Sequence, residues 1–384
     1  MTPYLFTFVS SAIFSTIGQE LEKTGRGKLA SYIFYALALC LLCTLAGGRD
    51  LTVGTDTAGY GVYVYEAGLI SNSFSSFMDI LNASKWDIGF LFGICSYAVI
   101  KLFKSQFVFF FFIELLILIP SFLVIKHYSK RHLGIVLLAY CFALYIPSLN
   151  MMRQSIAMGF SLCALTYWME GKSRHAVLSL IAAFFFHYTA IIVLLLMLAW
   201  TIISRKPKDT GVRRDKLSGW IQIQLLALFA LSVIVLFRFP QIAGLFSGIA
   251  HLDRLAAYAY HSGSEISTSS LVFTVMICSG CILAMFNCAS ENRAEQLLRT
   301  VAVLLSLFFV IASSIDNTIT RMAEYGILCV FPLLGTTITE KAIGRYKLAS
   351  IALIMTACAF RFFICFCYLG FSGAVPYTST LFGI

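Results

Sequence analysis

The segment GRDLTVGTDTAGY, residues 48–60, places an arginine, two aspartates and a tyrosine directly after a long apolar run. Arginine presents a planar fork of donors that suits phosphate or carboxylate. Asp56 could take a proton from an attacking hydroxyl as a general base. The alternative for Asp56 is a helix N-cap, because Asp and Thr precede a plausible interfacial helix. The segment itself has a non-helical composition, and Asp50 is the predicted partner of Arg49.

Arg153 and Arg321 share a predicted position with Arg49, at the outer end of a helix and beside polar residues. A charge inside a bilayer costs roughly 2.5–3.5 kcal/mol at its centre and less near its surface. Three outward arginines therefore favour a common site for a phosphate-bearing lipid. The alternative is that each arginine pairs with a local carboxylate and only fixes a helix end; those carboxylates are Asp50, Asp316 and Glu324.

Two further residues have both a structural and a functional interpretation. His187 could be a core histidine on an aromatic face, but it lies at an apparent helix break. Irregular backbone at membrane depth is tolerated where it lines a cavity, which favours a functional role. Glu324 follows Arg321 by three residues, a spacing that suits either an orienting ion pair or a second base. Pro376 and Tyr377 could return to the outer site.

The composition predicts an all-α polytopic membrane protein. Of the 384 residues, 59% are hydrophobic and 12% are charged, against about 25% charged in a soluble domain. Apolar runs close to the spanning length of about 20 residues recur throughout, predicting about 11–13 transmembrane helices in a single domain over residues 1–384. The net charge of +10 is assigned to basic loops that fix topology, not to nucleic-acid binding.

The distribution of basic residues predicts external loops at residues 47–86 and 239–269. The first basic residue is Lys23, so the first apolar run is predicted to be a retained helix, not a cleaved signal. Residues 175–204 are predicted either as two short helices that meet near His187 or as one long tilted helix. Parity requires that one run within 87–126 be re-entrant or only partly spanning.

Motifs of soluble enzymes do not occur in the sequence. It contains no P-loop, no dinucleotide fingerprint, no HExxH and no Ser-His-Asp arrangement. The twelve cysteines, including the CxxC pairs Cys40/Cys43 and Cys278/Cys281, fall mostly in apolar runs and are interpreted as structural thiols. No cofactor and no metal site is therefore predicted, and the energy for any reaction would come from an activated substrate or an ion gradient.

Six segments in order resemble the EpsG/Wzy class of bacterial polysaccharide polymerases. In one of them, WDIGF, Asp87-Ile88 stands where that class usually has Glu-Pro. The matching segments are GRDLTVGTDTAGY (48–60), WDIGF (86–90), NMMRQSIA (150–157), FHYTA (186–190), RMAEY (321–325) and PY (376–377).

The resemblance implies glycosyl transfer at the outer face of the bacterial inner membrane. The donor would be a glycan chain on undecaprenyl pyrophosphate, and the acceptor a hydroxyl of another undecaprenyl-pyrophosphate-linked repeat unit, as in O-antigen synthesis. Such a protein would sit among membrane lipids as a multi-pass protein, with a polysaccharide chain-length regulator as a further possible partner.

The resemblance also implies roles for individual residues. Asp56 or His187 would position or deprotonate the acceptor hydroxyl. Arg153, with the other outward arginines, would bind pyrophosphate and stabilise the charge that develops on the leaving group. The implied substrate-binding residues are Arg49, Arg321, Tyr60, Glu324, Gln154 and Tyr377.

Two other classes of protein remain open from the sequence. A transporter or flippase of the same lipid-linked oligosaccharide would need access from both sides and commonly shows internal repeats with polar residues at the midplane. The sequence shows no convincing repeat, and its polar residues cluster towards one face. A membrane acyltransferase would centre on a catalytic histidine, for which His187 is the candidate.

Overall fold

In a computed structural model, the chain is helical and forms no β-strand in the part that the structure describes. That part comprises residues 1–25, 27–84, 88–204, 268–287, 298, 301–303, 321–339 and 346–384. The chain divides into two compact units. The first unit contains Met1–Met197, Leu334–Lys341 and Cys358–Ile384; the second contains Leu198–Leu333 and Ala342–Ala357.

The described helices are numbered here in chain order. The helices of the N-terminal half are α1 (Thr2–Thr24), α2 (Lys28–Gly48), α3 (Val62–Ile70), α4 (Phe74–Asn82), α5 (Phe90–Phe103), α6 (Gln106–Tyr128), α7 (Leu133–Asn150), α8 (Met152–Met169), α9 (Ser173–Phe186) and α10 (Ile191–Ser204). The helices of the C-terminal half are α11 (Thr268–Asn287), α12 (Glu324–Thr339) and α13 (Lys347–Tyr368).

Four of these helices are long and apolar enough to cross a membrane. They are α2, α6, α7 and α13, with mean hydropathies of 2.1, 2.8, 1.8 and 2.1. Shorter apolar helices accompany them, among them α5, α9 and α12. The prediction of an all-α polytopic membrane protein is confirmed, whereas the predicted number of spans includes runs outside the described residues.

The first unit has two distinguishable ends, which we name after one residue each. At the Asn150 end, α2 and α7 finish and α6 begins. The Gln106 amide at the start of α6 lies 3.5 Å from the carbonyl oxygen of Arg49, which directly follows α2. At the Lys126 end, α1 and α6 finish and α7 begins. The Leu133 N–H at the start of α7 donates to the Gln19 side chain near the end of α1 at 2.9 Å. Helices α1 and α6 therefore run in one direction, and α2 and α7 run in the opposite direction.

Residues 50–105 leave the Asn150 end and return to it. Helix α5 has 14 residues, about 21 Å of helix, which is shorter than the ~30 Å hydrocarbon core of a bilayer. The chain re-enters at Gln106 beside Arg49. This geometry agrees with the predicted partly spanning run and places Arg49 and Arg153 at the same end of the unit.

Much of the predicted external loop 47–86 is helical. Thr57–Gly61 forms a π-helical turn, and α3 and α4 follow it, so the non-helical interpretation of residues 48–60 is wrong from Thr57 onward. Buried side chains one turn apart, such as Tyr60 and Val64, pack into a hydrophobic cluster. This burial overrides the weak helix propensity of glycine and threonine.

The second unit contains a close contact between two of its helices. The Ser350 hydroxyl of α13 donates to the carbonyl oxygen of Gly280 in α11 at 2.8 Å. A Cβ at Gly280 would lie 2.7 Å from the Ile354 side chain, so the helices approach at this glycine. Three sequence predictions fall outside the described residues: Asp87, Asp316 and most of the external loop 239–269.

Candidate functional site

The side chain of Asn150 joins three segments that are far apart in sequence. It ends α7 and is 4% exposed. Its Oδ1 accepts from the Asp56 N–H at 3.1 Å and from the Thr55 hydroxyl at 3.4 Å. Its Nδ2 donates to the carbonyl oxygen of Ser372 at 2.8 Å, and its own carbonyl oxygen accepts from the Tyr60 hydroxyl at 3.0 Å. Asn150 thus holds the early segment and the C-terminal segment together.

Gly54 allows this close approach. Its φ is +96°, a backbone conformation that favours glycine. A Cβ here would lie 2.9 Å from Asn150 Oδ1 and 3.0 Å from Thr57 Oγ1. The Gly54 N–H also donates to the carbonyl oxygen of Gly373 at 2.9 Å. A side chain at this position would displace the asparagine from its partners.

Asp50 is not bound to Arg49, contrary to the prediction. Its Oδ1 accepts from the Thr380 N–H at 2.7 Å and from the Thr380 hydroxyl at 2.8 Å. These hydrogen bonds lower the pKa of the Asp50 carboxyl. The Asp50 N–H also donates to the Thr378 carbonyl at 3.0 Å. Asp50 therefore fastens the C-terminal segment, because its carboxylate is directed towards Thr380.

Tyr377 brings the C-terminal segment against α2, so the predicted return of Pro376-Tyr377 to this end does occur. The Tyr377 hydroxyl donates to the Leu45 carbonyl at 2.9 Å, and its ring lies 5.4 Å from that of Tyr4. Burial raises the pKa of Tyr377 to about 12. These contacts make Tyr377 a packing residue at the site's edge, and its substrate contact stays a prediction.

Arg49 lies inside the protein, with its side chain 2% exposed. Its Nη1 donates to the Ala46 carbonyl at 2.8 Å; its Nη2 lies 3.3 Å from Thr57 Oγ1 and 3.5 Å from the Leu149 carbonyl oxygen. The guanidinium carbon is 4.3 Å from the centre of the Phe110 ring. Every one of these contacts is with a neutral group, so Arg49 ties backbone segments together.

Arg153 is the more accessible of the two arginines at the Asn150 end. It lies in the first turn of α8 and is partly exposed. Its guanidinium carbon lies 4.6 Å from the centre of the Tyr60 ring, a cation–π distance. Its Nε is buried and has no hydrogen-bond partner among the described residues. Burial raises the pKa of Tyr60, and the positive charge of Arg153 opposes that shift.

Asp56 also contacts Asn150 and is also partly exposed. It directly precedes the π-helical turn Thr57–Gly61, but its side chain makes no capping hydrogen bond there. The N-cap alternative is therefore not what the structure shows. Asp56 is held through its backbone N–H to Asn150, and Arg153 is held through Tyr60, which bonds to the same asparagine. Asn150 thus connects the backbone of Asp56 with the ring that contacts the Arg153 guanidinium.

His187 interrupts two helices, as one of the two alternatives predicted. It is extended, with φ −159° and ψ 127°, between α9 and α10. Its Nδ1 lies 2.7 Å from the Thr189 hydroxyl, and its ring stacks on Tyr188 at 4.8 Å. A Cβ at Gly89 would lie 2.5 Å from the Phe186 carbonyl oxygen. The glycine of WDIGF therefore packs directly against the residue before His187.

The remaining predicted residues are less directly connected to this site. Gln154 is buried in α8. Glu324 begins α12 in the second unit and is 4% exposed, and Arg321 lies three residues before it. Their pairing, and the convergence of Arg321 with Arg49 and Arg153, stay predictions.

Sequence reasoning missed two buried charged residues and the central role of Asn150. Glu114 lies inside α6, is 1% exposed, and accepts from the Ser148 hydroxyl at 3.1 Å. Arg361 lies in α13, 5.5 Å from the Phe366 ring. Both could have been found, because a single charge within a spanning run is a functional signal. The described residues include no cluster of three or more His, Cys, Asp or Glu that could hold a metal.

A known protein family matches most of the chain. The model of the EpsG family covers residues 32–379, from the middle of the first helix pair to the C-terminal segment. The chain belongs to the EpsG family. Searches of curated proteins and of solved structures returned no match. Membership indicates a polysaccharide polymerase-type membrane enzyme. All six resembling segments have described residues, and only WDIGF is described in part.

Proposed function

We propose that this EpsG-family protein polymerises a polysaccharide by transferring a glycan chain from undecaprenyl pyrophosphate to a second undecaprenyl-pyrophosphate-linked repeat unit. The observation that carries the proposal is the pair formed by Arg153 and Asp56 around Asn150. A cation suited to phosphate and a carboxylate suited to a hydroxyl proton lie at one end of membrane helices. We assign this end to the periplasmic face of the bacterial inner membrane.

Arg153 is the proposed pyrophosphate ligand. Its guanidinium lies over the Tyr60 ring, which fixes its plane while leaving part of the side chain accessible. The fork can then donate to two phosphate oxygens. As the bond from the anomeric carbon to the phosphate oxygen breaks, its electron pair stays on undecaprenyl pyrophosphate, and Arg153 stabilises the added charge. Tyr60 serves as the support for the arginine.

Asp56 is the proposed general base. The acceptor hydroxyl oxygen forms the new bond to the anomeric carbon, and its proton passes to the Asp56 carboxylate. The Asp56 N–H donates to Asn150, so the backbone that carries the carboxylate is fixed in place. His187 is the alternative base, at the helix break beside the cluster that contains Tyr60 and Phe186.

Arg49 has a different proposed role from that of Arg153. Its guanidinium contacts neutral groups inside the protein, and phosphate could reach it only by displacing them. We therefore assign Arg49 to building the site, since it bonds both the early segment and the turn at Leu149. Arg321 remains a proposed second pyrophosphate ligand, and Gln154, Glu324 and Tyr377 remain proposed substrate contacts.

A transporter of the same lipid-linked glycan is the second candidate, and the helix break at His187 favours it. Transporters commonly build their substrate sites from discontinuous helices. Both α9 and α10 have 14 residues, or about 21 Å each. The two functions predict different products, since a transporter moves the glycan without forming a glycosidic bond.

The deciding experiment uses purified protein in nanodiscs with one lipid-linked repeat unit and no nucleotide. We expect a ladder of longer glycans on a gel, and we expect Arg153→Ala to abolish it. The matched control is Arg174→Ala, an exposed arginine at the start of α9, which should give the same ladder as the wild type. If no ladder forms but intact glycan-lipid crosses a liposome membrane, the transporter replaces the polymerase.

A further inference from the structure

A buried carboxylate lies one helical turn beyond the ring that contacts Arg49. Phe110 of α6 covers the guanidinium of Arg49 at 4.3 Å. Glu114 is four residues further along the same helix, 1% exposed. Residues four apart share a helix face. Glu114 therefore lies on the same face of α6 as the ring that contacts Arg49. Helix α6 is long and apolar enough to cross a membrane, and Glu114 lies in its middle.

Glu114 is connected to the Asn150 turn through Ser148. The Ser148 Oγ lies 3.1 Å from Glu114 Oε1 and 3.4 Å from Oε2, and it also lies 2.7 Å from the carbonyl oxygen of Tyr145 in the preceding turn. The next residue, Leu149, presents its carbonyl oxygen to Arg49 Nη2 at 3.5 Å and to the Thr57 hydroxyl at 3.2 Å. Asn150 follows. The Glu114 carboxylate thus contacts Ser148, the residue directly before the Leu149 and Asn150 carbonyl groups that accept hydrogen bonds in the site.

The charge of Arg49 requires an anion nearby. A guanidinium stays protonated in proteins, and a buried cation without a counter-charge is strongly destabilising. Among the described residues, the ion pairs do not include Arg49. Burial lowers the pKa of Arg49, and the largest opposing effect comes from the carboxylate of Glu114. Asp50, the adjacent acid, is bound to Thr380 instead.

We propose that Glu114 is a positioning residue whose carboxylate balances the buried charge of Arg49 and fixes Ser148, so that the Leu149–Asn150 turn keeps its place in the site. Arg49 and Glu114 then act as one neutral unit inside the helices. The catalytic consequence rests on the proposed polymerase function, whereas the charge pairing does not.

The pairing is tested by thermal unfolding of the full-length protein in nanodiscs. Glu114→Gln keeps the shape and the contact with Ser148 but removes the charge, and we expect it to lower Tm by on the order of 5 °C. The double variant Arg49→Gln with Glu114→Gln removes both charges. Its loss in Tm should be clearly smaller than the sum of the two single losses. Glu20→Gln, at an exposed carboxylate paired with Lys23, should leave Tm unchanged.

Additive losses in this cycle would overturn the charge pairing. If Glu114→Gln does not fold, folding of the neutral double variant supports the pairing. If neither folds, Ser148→Ala decides the positioning role. Its matched control is Ser161→Ala, since Ser161 is a buried serine of α8 whose hydroxyl has no partner among the described residues.

The positioning role is tested by kinetics on the lipid-linked repeat unit, normalised to folded protein. We expect Glu114→Gln and Ser148→Ala to lower kcat about tenfold and to change KM less than about threefold, because a shifted turn spoils reaction geometry more than donor binding. Glu114→Asp should recover part of kcat, since it restores the charge. Unchanged kcat per folded molecule would overturn the positioning role. If the wild type forms no polymer, the proposed function fails, and the unfolding cycle still decides the pairing.

Discussion

The two ends of the first unit differ in whether their cations contact carboxylates. At the Lys126 end, cations meet carboxylates near the surface: Lys126 lies 2.9 Å from Glu22, and Lys172 lies 2.9 Å from Glu170. Lys126 also lies 4.5 Å from the centre of the Tyr35 ring. The side chain of Lys126 is 22% exposed and that of Glu22 is 38% exposed. Such pairs contribute little, with a median of about 0–1 kcal/mol.

At the Asn150 end, the cations lie against aromatic rings and neutral acceptors. Arg49 packs on Phe110, and Arg153 packs on Tyr60. Tyr60 in turn bonds to Asn150, 90 residues further along the chain. Burying a charge is costly unless it is paired and hydrogen-bonded, so buried charges in membrane proteins are candidate functional residues. The cations at the Lys126 end therefore have carboxylate partners, whereas Arg49 and Arg153 contact aromatic rings and, for Arg49, neutral acceptors.

The sharpest test of this difference uses one conservative exchange at each end. Arg153→Lys should lower kcat/KM by about 100-fold, because an ammonium neither lies flat on the Tyr60 ring nor presents a fork to phosphate. Lys126→Arg keeps a cation beside Glu22, so kcat/KM should change less than about twofold. Both are measured with the lipid-linked repeat unit. Equal effects of the two exchanges would remove the functional distinction between the ends.

A second test compares two buried amides that bridge segments. Gln19 at the Lys126 end donates to the Ser129 carbonyl at 2.6 Å and accepts from the Leu133 N–H at 2.9 Å. Both Asn150→Ala and Gln19→Ala leave buried partners unsatisfied, and each should destabilise the protein by about 1–3 kcal/mol per group.

Only Asn150→Ala should also reduce catalysis. It releases the backbone of Asp56, so kcat/KM per folded molecule should fall on the order of tenfold. The same kinetics on Gln19→Ala should match the wild type once the folded fraction is measured by gel filtration. A fall of similar size in both variants would mean that Asn150 acts through stability alone.

A third test compares two glycines with positive φ. Gly25 ends α1 with φ +68° and has nothing within 4 Å of a built Cβ. Gly25→Ala should therefore cost only the left-handed backbone conformation, about 1 kcal/mol. Gly54→Ala adds overlap with Asn150 and Thr57 and should cost about 2–4 kcal/mol in total. Chemical unfolding in detergent measures both, and equal costs for the two variants would mean that the Gly54 loop shifts to relieve the overlap.

The sequence was sufficient for features that depend on local signals. Hydropathy predicted α2, α6, α7 and α13, and the interruption at residues 186–188 made a break near His187 one of two predicted alternatives. The order of motifs predicted the family and the return of the C-terminal segment to the early segment. These features arise from runs of fewer than about 25 residues or from direct resemblance.

The site's internal arrangement could not be predicted in the same way. The anchoring role of Asn150 depends on bonds to residues 94 and 222 positions away. The interior position of Arg49 depends on Phe110 and Leu149, which lie in two other helices. A sequence shows a charge at a helix end but not which partner is nearest. The expected Arg49–Asp50 pair was wrong for that reason, since Thr380 at the far end of the chain binds the acid.

The smallest expected effect concerns the ion pair at the Lys126 end. Burial tends to raise the pKa of the Glu22 carboxyl, but hydrogen bonds from Tyr35 and Lys126 outweigh it and lower the pKa below 4.5. The contribution to stability is therefore present above pH 4.5 and is lost as pH falls through the lower folded pKa. Glu22→Gln should cost less than about 1 kcal/mol at neutral pH. Its Tm should converge with that of the wild type in acid, and a gap that persists there would mean that Glu22 acts by packing instead of charge.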